Sequence, residues 1–273
     1  MKDLENKVVV ITGAGSGIGR SLALKMYKKG AKLALNDFNK QSLDETLSLI
    51  NSEDDIYSEV FDVSKNEEFD TFSKNVINHF SKVDIVINNA GITIGSFSVI
   101  ETKIEDYKKV IGVNMWGMIY GTLAFVTHLR KQKESSIVNI SSIWGLLGSP
   151  YQSAYSVSKF GIRGFSEALA AEELCNKTGV VVLSVHPGGI KTNIVRNIEG
   201  QNLTETQLKK LDTHFPTTAD ETANKIIQAI QKKKTRLVIG PDAKFMYRLS
   251  RFSQRITMKF LVNWAKKMMK ISK

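Results

Sequence analysis

The chain has 273 residues, of which 42% are apolar and 24% are charged, and this balance excludes an intrinsically disordered protein. No run of apolar residues approaches the ~18 that a membrane-spanning helix needs, and the polar N-terminus lacks the apolar core of a signal peptide. The single cysteine, Cys175, excludes an internal disulfide and a cysteine-rich metal site. The sequence therefore predicts a soluble, cytoplasmic protein.

The net charge of +11 is carried mainly by the C-terminal tail. Nine basic residues and no acidic residue lie between Ala243 and Lys273, so the rest of the chain carries only about +2. The basic residues of the tail are Lys244, Arg248, Arg251, Arg255, Lys259, Lys266, Lys267, Lys270 and Lys273. The overall charge therefore says little about the function of the main body.

Short β-branched or apolar runs predict strands that are buried on both faces. These strands are Lys7–Ile11, Lys32–Asn36, Val60–Asp62, Val83–Asn88, Ser136–Ile140, Val180–His186 and Leu237–Ile239. Segments with helical spacing alternate with them, at Ile18–Tyr27, Leu43–Ser52, Lys65–Phe80, Lys103–Lys133, Ala154–Lys177 and Asp220–Lys232. This alternation predicts an α/β fold with one doubly wound parallel sheet. The irregular segment Ile190–Phe215 is typical of a functional lid.

A glycine-rich loop at residues 12–19, with the pattern T-G-x-x-x-G-x-G, stands between the first predicted strand and the first helix. Glycines let the backbone approach a pyrophosphate, and the helix N-terminus offers free N–H groups, so this position favours dinucleotide binding over a plain turn. Asp37 ends the second strand, twenty residues after Gly17. A carboxylate there accepts ribose hydroxyls and repels a 2′-phosphate. Because neither Ser16 nor Phe38 is basic, the pattern favours NAD over NADP.

Tyr155 and Lys159 stand four residues apart on a predicted helix, so both side chains project from the same face. A lysine charge ~4.5 Å away contributes roughly 3–4 kcal/mol at an effective dielectric of ~20, which would lower a tyrosine pKa by about two to three units. Such a tyrosine could exchange a proton with an alcohol or carbonyl oxygen. A chance exposed pair is the alternative when this spacing is taken alone.

Several motifs occur together in an order and at separations that resemble the short-chain dehydrogenase/reductase family. They are Thr12-Gly13…Gly17-Ile18-Gly19, Asn88-Asn89-Ala90-Gly91, Asn114, Ser141-Ser142, Tyr155…Lys159 and Pro187-Gly188…Thr192. The resemblance covers about residues 5 to 240. It implies a Rossmann-type catalytic and NAD-binding domain over residues 1–242, followed by a basic amphipathic C-terminal extension over residues 243–273.

The resemblance also implies a catalytic tetrad, Asn114, Ser142, Tyr155 and Lys159. Tyr155 would be the general acid/base, and Ser142 would hydrogen-bond the reacting oxygen. Lys159 would lower the tyrosine pKa and bind the nicotinamide ribose, while Asn114 would hold a water that connects Lys159 to solvent. Ser142 is chosen over its neighbour because it lies thirteen residues before Tyr155.

The cofactor contacts are implied in the same way. They are Gly13, Ser16, Gly17, Ile18, Asp37, Phe38, Asp62, Val63, Asn89, Ala90, Gly91, Tyr155, Lys159, Pro187, Gly188, Ile190 and Thr192. His186 is interpreted as a structural residue at a strand end. The other histidines, His79, His128 and His214, show no paired ligand spacing, so no metal is predicted.

The residues expected around the substrate are mostly apolar. They are Ile143 to Leu147, Gln152, Ile92 to Ile94, and the lid at 193–215. This favours a neutral, hydrophobic secondary alcohol or ketone and an activity on CH–OH groups. The alternative is a catalytically silent dinucleotide-binding scaffold, or a redox sensor that acts through its basic tail.

A homo-oligomer is also expected. Family members often form homo-oligomers through the two long helices, here predicted to be a dimer or tetramer with close packing at small residues. These are Gly112, Gly117, Gly121, Ala168, Ala170 and Ala171.

The tail has an apolar stripe with helical spacing, formed by Phe245, Leu249, Phe252, Ile256, Phe260 and Trp264. Peripheral attachment to the inner face of a membrane and packing on protein both remain open for this stripe, while nucleic acid binding is disfavoured.

Overall fold

Seven parallel strands form the central sheet of the computed structural model, which describes residues 1, 3–50, 55–191, 215 and 217–271, with the side chains of the last helix described to residue 266. The strands are β1 (Val8–Thr12), β2 (Lys32–Asp37), β3 (Ile56–Val60), β4 (Ile85–Asn88), β5 (Ser135–Ile140), β6 (Val180–Pro187) and β9 (Arg236–Ile239). Their order is β3-β2-β1-β4-β5-β6-β9. A small parallel pair, β7 (Ile190–Lys191) and β8 (Thr217–Thr218), lies outside this sheet.

The chain reverses its direction of travel across the sheet at β1. It moves from β1 to β2 and β3 on one side, then returns to place β4 against the other edge of β1. In a doubly wound sheet, ligands bind beyond the carboxyl ends of the strands at such a switch point. The loops after β1 and β4 therefore frame the expected site. The predicted Rossmann-type sheet is confirmed.

Helices cover both faces of the sheet. On one face lie α1 (Gly17–Tyr27), α2 (Lys40–Ile50) and α7 (Ala219–Gln231), and on the other lie α3 (Asn66–Phe80), α5 (Gly117–Leu129) and α6 (Ser153–Cys175). Alternate strand residues supply the two cores, since Val9 and Ile11 point into the first and Val8 and Val10 into the second. All four side chains are at most 1% exposed, as expected for strands covered on both faces.

The helix before α5 begins with α4 (Ile104–Ile111) and passes through a π-helical turn at Gly112–Trp116. The continuous segment Ile104–Leu129 is long and apolar enough to cross a bilayer by length and composition alone. In this fold it is a core helix, because Phe125 and Leu129 are completely buried against the sheet. The π turn carries Asn114, which is buried.

The third strand was expected at Val60–Asp62, and this prediction was wrong because the strand ends where it was expected to begin. β3 lies at the edge of the described sheet and pairs with β2, from Ile56 opposite Leu33 to Val60 opposite Asp37. Its residues are only partly buried, so the sequence there lacks the apolar run that marks the central strands. The other predicted strands and helices agree with the structure to within a few residues.

Two helices follow the sheet, α8 (Pro241–Phe252) and α9 (Gln254–Ile271). The chain leaves helical geometry between them at Ser253, whose φ is −155° and ψ is 114°. The predicted apolar stripe is therefore shared by two helices instead of lying on one. Ala243 of α8 packs with Leu146 and Leu147 in a separate small core.

Candidate functional site

A cavity of about 930 Å³ opens at the switch point of the sheet. Its volume lies within the range of ~300–1,000 Å³ that is typical of ligand sites. The wall includes the loop after β1, the ends of β2, β4, β5 and β6, and the start of α6. The cavity thus joins the glycine-rich loop to the predicted catalytic residues.

The glycine-rich loop is shaped by close contact with the segment after β4. Gly13 has a φ of +65°, and a Cβ there would lie 2.9 Å from the Ala90 Cα atom, so a larger residue would be both strained and obstructed. Thr12 Oγ1 accepts hydrogen bonds from the N–H groups of Asn89 and Ala90, both at 3.1 Å. The Asn89 side chain donates in return to the Thr12 carbonyl at 2.9 Å. These bonds fix the loop backbone at the cavity edge, where α1 begins.

Asp37 is held in place by main-chain donors at the end of β2. One carboxylate oxygen accepts from the Gly15 N–H at 2.8 Å and the other accepts from the Asn39 N–H at 2.9 Å. Arg20, the basic residue closest in sequence to the loop, donates instead to Gly15 O and to Glu45 Oε2. A negatively charged group is therefore fixed on the cavity wall at the glycine-loop end.

Ser142, Tyr155 and Lys159 meet at the other end of the same cavity. Ser142 follows β5, while α6 places Tyr155 one turn before Lys159. The Lys159 Nζ atom donates to the Ile140 carbonyl at 3.0 Å and lies 5.4 Å from the centre of the Tyr155 ring. The Ser142 side chain is also near enough to Tyr155 to influence its pKa. The proximity predicted from the sequence spacing is therefore present.

The protonation states differ from the expectation that Lys159 would lower the pKa of Tyr155. Burial raises the pKa of Tyr155 to about 12, and the interaction with Ser142 only opposes this rise. Burial also lowers the pKa of Lys159 to about 7. Both groups have lost water, which disfavours the charged form of each. Near neutral pH, the free protein therefore holds the neutral phenol of Tyr155 beside the Lys159 amine, which is only partly protonated.

Asn114 lies behind the cavity and anchors the segment that follows β4. Its Oδ1 atom accepts from the Ile92 N–H at 2.8 Å, and its Nδ2 atom donates to the Ile92 carbonyl and to Ser158 Oγ, both at 3.0 Å. The amide is thus used to connect a cavity-lining loop to α6. These contacts make Asn114 a positioning residue, and the water-holding role implied by the resemblance stays a prediction.

His186 contacts the main chain of Ser142 and helps to position it. Its Nδ1 atom lies 3.1 Å from the Ser142 carbonyl oxygen and its Nε2 atom lies 2.9 Å from Ser184 Oγ. Burial lowers the pKa of His186 to about 4, so the ring is neutral at physiological pH. The carbonyl must accept, so we assign the proton to Nδ1. The sequence interpretation identified His186 as structural but gave no signal for its partner.

Nearly all residues predicted to contact the cofactor line the cavity. Those found there are Gly13, Ser16, Gly17, Ile18, Asp37, Phe38, Asp62, Val63, Asn89, Ala90, Gly91, Tyr155, Lys159, Pro187, Gly188 and Ile190. Thr192 lies outside the described residues. The prediction missed several lining residues, among them Asn36, Asn39, Phe61, Ser64, Lys108, Lys109, Gly112 and Val113. Their positions depend on how α4 and the strand ends fold over the cavity, which no local pattern encodes.

Only some of the residues expected around the substrate line the described cavity. Ile92 and Thr93 line the cavity, as expected. Ile143, Leu146 and Leu147 instead pack beneath α8 in the small core that includes Ala243. The predicted lid at 193–215 lies outside the described residues except for Phe215.

Among the described side chains, no group of three His, Cys, Asp or Glu residues could hold a metal ion.

The cavity fits a dinucleotide in the chemistry of its donors and acceptors. The first turn of α1 begins in the glycine loop, and among the described residues no side chain caps its main-chain N–H groups. A Cβ atom at Gly19 would lie 2.0 Å from the Gly13 carbonyl oxygen, so the loop and helix approach each other as only glycine permits. The site thus combines an anion-binding end with an acidic wall at Asp37.

Comparisons with known proteins agree with this geometry. The family model described as short chain dehydrogenase matches residues 7–203. A putative oxidoreductase SadH from Mycobacterium tuberculosis is 40% identical over 258 residues, which are 92% of each chain. A 3-oxoacyl-[acyl-carrier-protein] reductase from Synechocystis is 32% identical over 203 residues, covering 74% of this chain and 81% of that protein.

A solved structure extends the likeness to a bound cofactor. The short chain dehydrogenase/reductase from Burkholderia phymatum in complex with NAD superimposes with a TM-score of 0.84 at 26% identity, covering 94% of this chain and 96% of that one. The fold, the cavity at the switch point and the sequence relatives lead to one assignment. This chain belongs to the short-chain dehydrogenase/reductase family of oxidoreductases.

Proposed function

We propose that this protein interconverts a hydrophobic secondary alcohol and its ketone, with Tyr155 as the general acid/base and NAD as the preferred cofactor. The observation that carries the proposal is that Ser142, Tyr155 and Lys159 share one cavity with the glycine-rich loop. When bound, the nicotinamide supplies the hydride acceptor or donor for the reaction. A silent scaffold has no need of a phenol, a hydroxyl and an ammonium at one end of its ligand cavity.

The chain's own residues would move and hold the proton. In the reduction direction, the neutral Tyr155 phenol donates its proton to the substrate oxygen as charge develops there. The Ser142 hydroxyl, which lines the same cavity, donates to the same oxygen and stabilises the developing charge. Lys159, anchored by the Ile140 carbonyl, supplies positive charge beside the phenol ring. In the oxidation direction, Tyr155 must first lose its proton.

The preference for NAD follows from the position of Asp37. Its carboxylate is fixed by the Gly15 and Asn39 N–H groups on the wall of the cavity. The burial of a 2′-phosphate beside this charge would be opposed by Coulomb repulsion. Lys108 and Lys109 also line the cavity and are the cations that could oppose this preference.

The apolar substrate is inferred from the end of the cavity that holds Tyr155. Ile92, Thr93 and Ile190 border the cavity there together with the catalytic side chains. Lys159, the cation beside Tyr155, is already bonded to the Ile140 carbonyl. A substrate carboxylate or phosphate next to Tyr155 would therefore lack a dedicated partner.

The catalytic part is tested with Tyr155→Phe in the full-length protein. We expect turnover of secondary alcohols with NAD to fall at least about a thousandfold, because the proton donor is removed. The affinity for NADH, followed by nicotinamide fluorescence, should change less than about threefold. Tyr27→Phe is the matched control, since the Tyr27 hydroxyl makes no hydrogen bond within the described residues. Turnover that survives in Tyr155→Phe would refute the assignment, and NADH binding without turnover of any secondary alcohol or ketone in the wild type would favour the silent scaffold.

The cofactor part is tested by titrating NADH and NADPH into the wild type and Asp37→Ser at equal ionic strength. We expect the wild type to prefer NADH and the variant to lose most of this preference through tighter NADPH binding. Asp70→Ser removes an exposed carboxylate that does not line the cavity and is the matched control. An unchanged ratio of affinities in Asp37→Ser would show that Asp37 does not discriminate between the two cofactors.

We also propose that the protein forms a homo-oligomer through α5 and α6. Large apolar side chains on the π turn and these helices are exposed, namely Trp116, Leu123, Val157 and Phe160. The predicted small-residue contacts divide between two surfaces. Gly117 and Gly121 face inward, where a Cβ atom would meet Val63 and Asn88, whereas Ala168 and Ala171 are exposed. Sedimentation equilibrium of the wild type and Leu123→Glu tests this face, and a wild-type monomer at micromolar concentration would refute it.

A further inference from the structure

The C-terminal helices α8 and α9 are attached to the body of the protein by a narrow contact. In α9, Thr257, Leu261 and Ala265 are buried and follow one another at intervals of four residues. In α8, Ala243 is buried, and Asp242 accepts a hydrogen bond from the Gly189 N–H at 2.8 Å. These contacts fix both helices beside the cavity segment Pro187–Ile190 and leave their outer surface free of the core.

Large apolar side chains occupy that outer surface. We define the C-terminal patch as Phe245, Phe252, Ile256, Phe260 and Trp264, which are between 40% and 85% exposed. Ile256, Phe260 and Trp264 share one face of α9, since they are four residues apart. Phe245 of α8 joins them through an edge contact with Phe260, with ring centres 5.8 Å apart. The patch therefore spans both helices, with Phe252 at the corner.

Basic residues surround the C-terminal patch and form no ion pairs within the described residues. Lys244, Arg248, Arg255, Lys259 and Lys266 are all exposed. None of them has a carboxylate or other side-chain partner within the described residues. The cations of the body are different, because many of them, such as Lys25 with Asp220 and Lys233 with Glu134, form ion pairs.

We propose that the C-terminal patch and its cations dock this protein onto an anionic lipid surface. Exposed aromatic side chains that enter the interface, with lysine and arginine at the headgroup level, are the pattern of interfacial helices. A second copy bound through the same patch would bring two sets of unpaired cations together, which repel each other. Nucleic acid would engage the cations but would leave the apolar side chains exposed to water.

The docking surface lies against the segment that carries Ser142. The ring of Trp264 contacts that of Trp144, with centres 5.3 Å apart. The main-chain N–H of Trp144 in turn donates to Ser142 Oγ at 3.2 Å. The face of the protein that meets the lipid is thus separated from the catalytic serine by one pair of rings.

The test is flotation of the full-length protein with phosphatidylcholine vesicles that contain about 30 mol % phosphatidylserine, at low salt. We expect binding that weakens as salt is added and that is lost with pure phosphatidylcholine vesicles. The triple variant Arg248→Gln, Arg255→Gln, Lys259→Gln should bind about a hundredfold more weakly, at roughly fivefold for each charge. The matched control is Lys28→Gln, Lys29→Gln, Lys74→Gln, which removes three exposed charges from other surfaces and should bind like the wild type.

A second variant separates lipid docking from simple attraction between charges. Phe252→Ser with Ile256→Ser retains every cation, and we expect it to bind the vesicles about tenfold more weakly. Failure of the wild type to float with the anionic vesicles would overturn the proposal. Vesicle binding by this variant that equals wild-type binding would overturn it too. So would wild-type binding to duplex DNA that is as tight as its binding to the vesicles and is unchanged in this variant. Thermal unfolding of each variant checks that the fold is intact.

Discussion

Lys159→Met should make the cofactor-free protein more stable at neutral pH while it abolishes turnover. Lys159 is 3% exposed, and its ammonium group donates to the Ile140 carbonyl at 3.0 Å. Burial lowers its pKa from 10.5 to about 7, which means that the folded protein bears a cost for holding the charge. Methionine retains a similar apolar stem and removes the charge.

The size of the effect follows from the two pKa values. The unfolded chain binds more protons than the folded protein between pH 7 and 10.5, so the stability of the wild type rises with pH in that window. At 1.36 kcal/mol per pKa unit, the cost is about 4 kcal/mol at pH 7 and about 2 kcal/mol at pH 9. The variant leaves the Ile140 carbonyl without its donor, which costs about 1–3 kcal/mol. We therefore expect Lys159→Met to be about 2 kcal/mol more stable at pH 7 and nearly equal to the wild type at pH 9.

The assay is urea unfolding of both proteins without cofactor at pH 7, 8 and 9, at one protein concentration. Tyr155 and His186 do not interfere, because their pKa values of about 12 and about 4 lie outside this range. Lys29→Met, at an exposed position, is the control for the loss of a lysine. Parallel pH dependences for the wild type and Lys159→Met would refute the argument, since no cost would then be attached to the Lys159 charge.

Three other measurements test the polar contacts around the site and the fold. His186→Leu removes the partner of the Ser142 carbonyl, and we expect kcat to fall about tenfold while the NADH affinity is retained. Arg130→Met leaves the Glu173 carboxylate, which is 1% exposed, without its ion-pair partner and should cost about 3–5 kcal/mol at pH 7 by urea unfolding. That deficit should shrink as the pH falls to 5, because a protonated Glu173 needs no counter-charge, and a constant deficit would contradict this reason. Because the pKa of Tyr155 is raised, kcat/KM for alcohol oxidation should increase about tenfold per unit from pH 7 to 9 while ketone reduction changes little, and a flat oxidation profile would exclude Tyr155 as the base.

The sheet and the glycine loop could be predicted from the sequence because their signals are local. Val8 to Ile11 is an apolar run buried on both faces, and the position of the glycines between this strand and a helix favours dinucleotide binding over a plain turn. The edge strand β3 could not be predicted in the same way. Ile56 to Val60 are only partly buried and gain their structure from pairing with β2, a contact distant in sequence.

The residues of the site could be predicted more fully than their chemistry. A spacing of four residues on a helix brings Tyr155 and Lys159 together whatever surrounds them. Their protonation depends on the loss of water, and this follows from packing by segments far away in the chain. Burial raises one pKa and lowers the other, against the Coulomb effect expected from the pair alone. The partner that His186 finds at Ser142 depends equally on the packing of β6 behind β5.

The C-terminal extension shows the same limit of a sequence pattern. The stripe from Phe245 to Trp264 predicted one apolar face on the C-terminal extension. If its α9 residues were the buried side of that helix, the stripe would pack on the protein. The buried residues are instead Thr257, Leu261 and Ala265, one position further along the helix. A shift of one residue turns a helix by 100°, so Ile256 and Phe260 lie beside the contact with the body, and Trp264 meets the body at the ring of Trp144. Their exposure among cations that form no ion pair within the described residues follows from the way α9 packs, and the proposed lipid surface would supply both the apolar phase and the anions that this arrangement lacks.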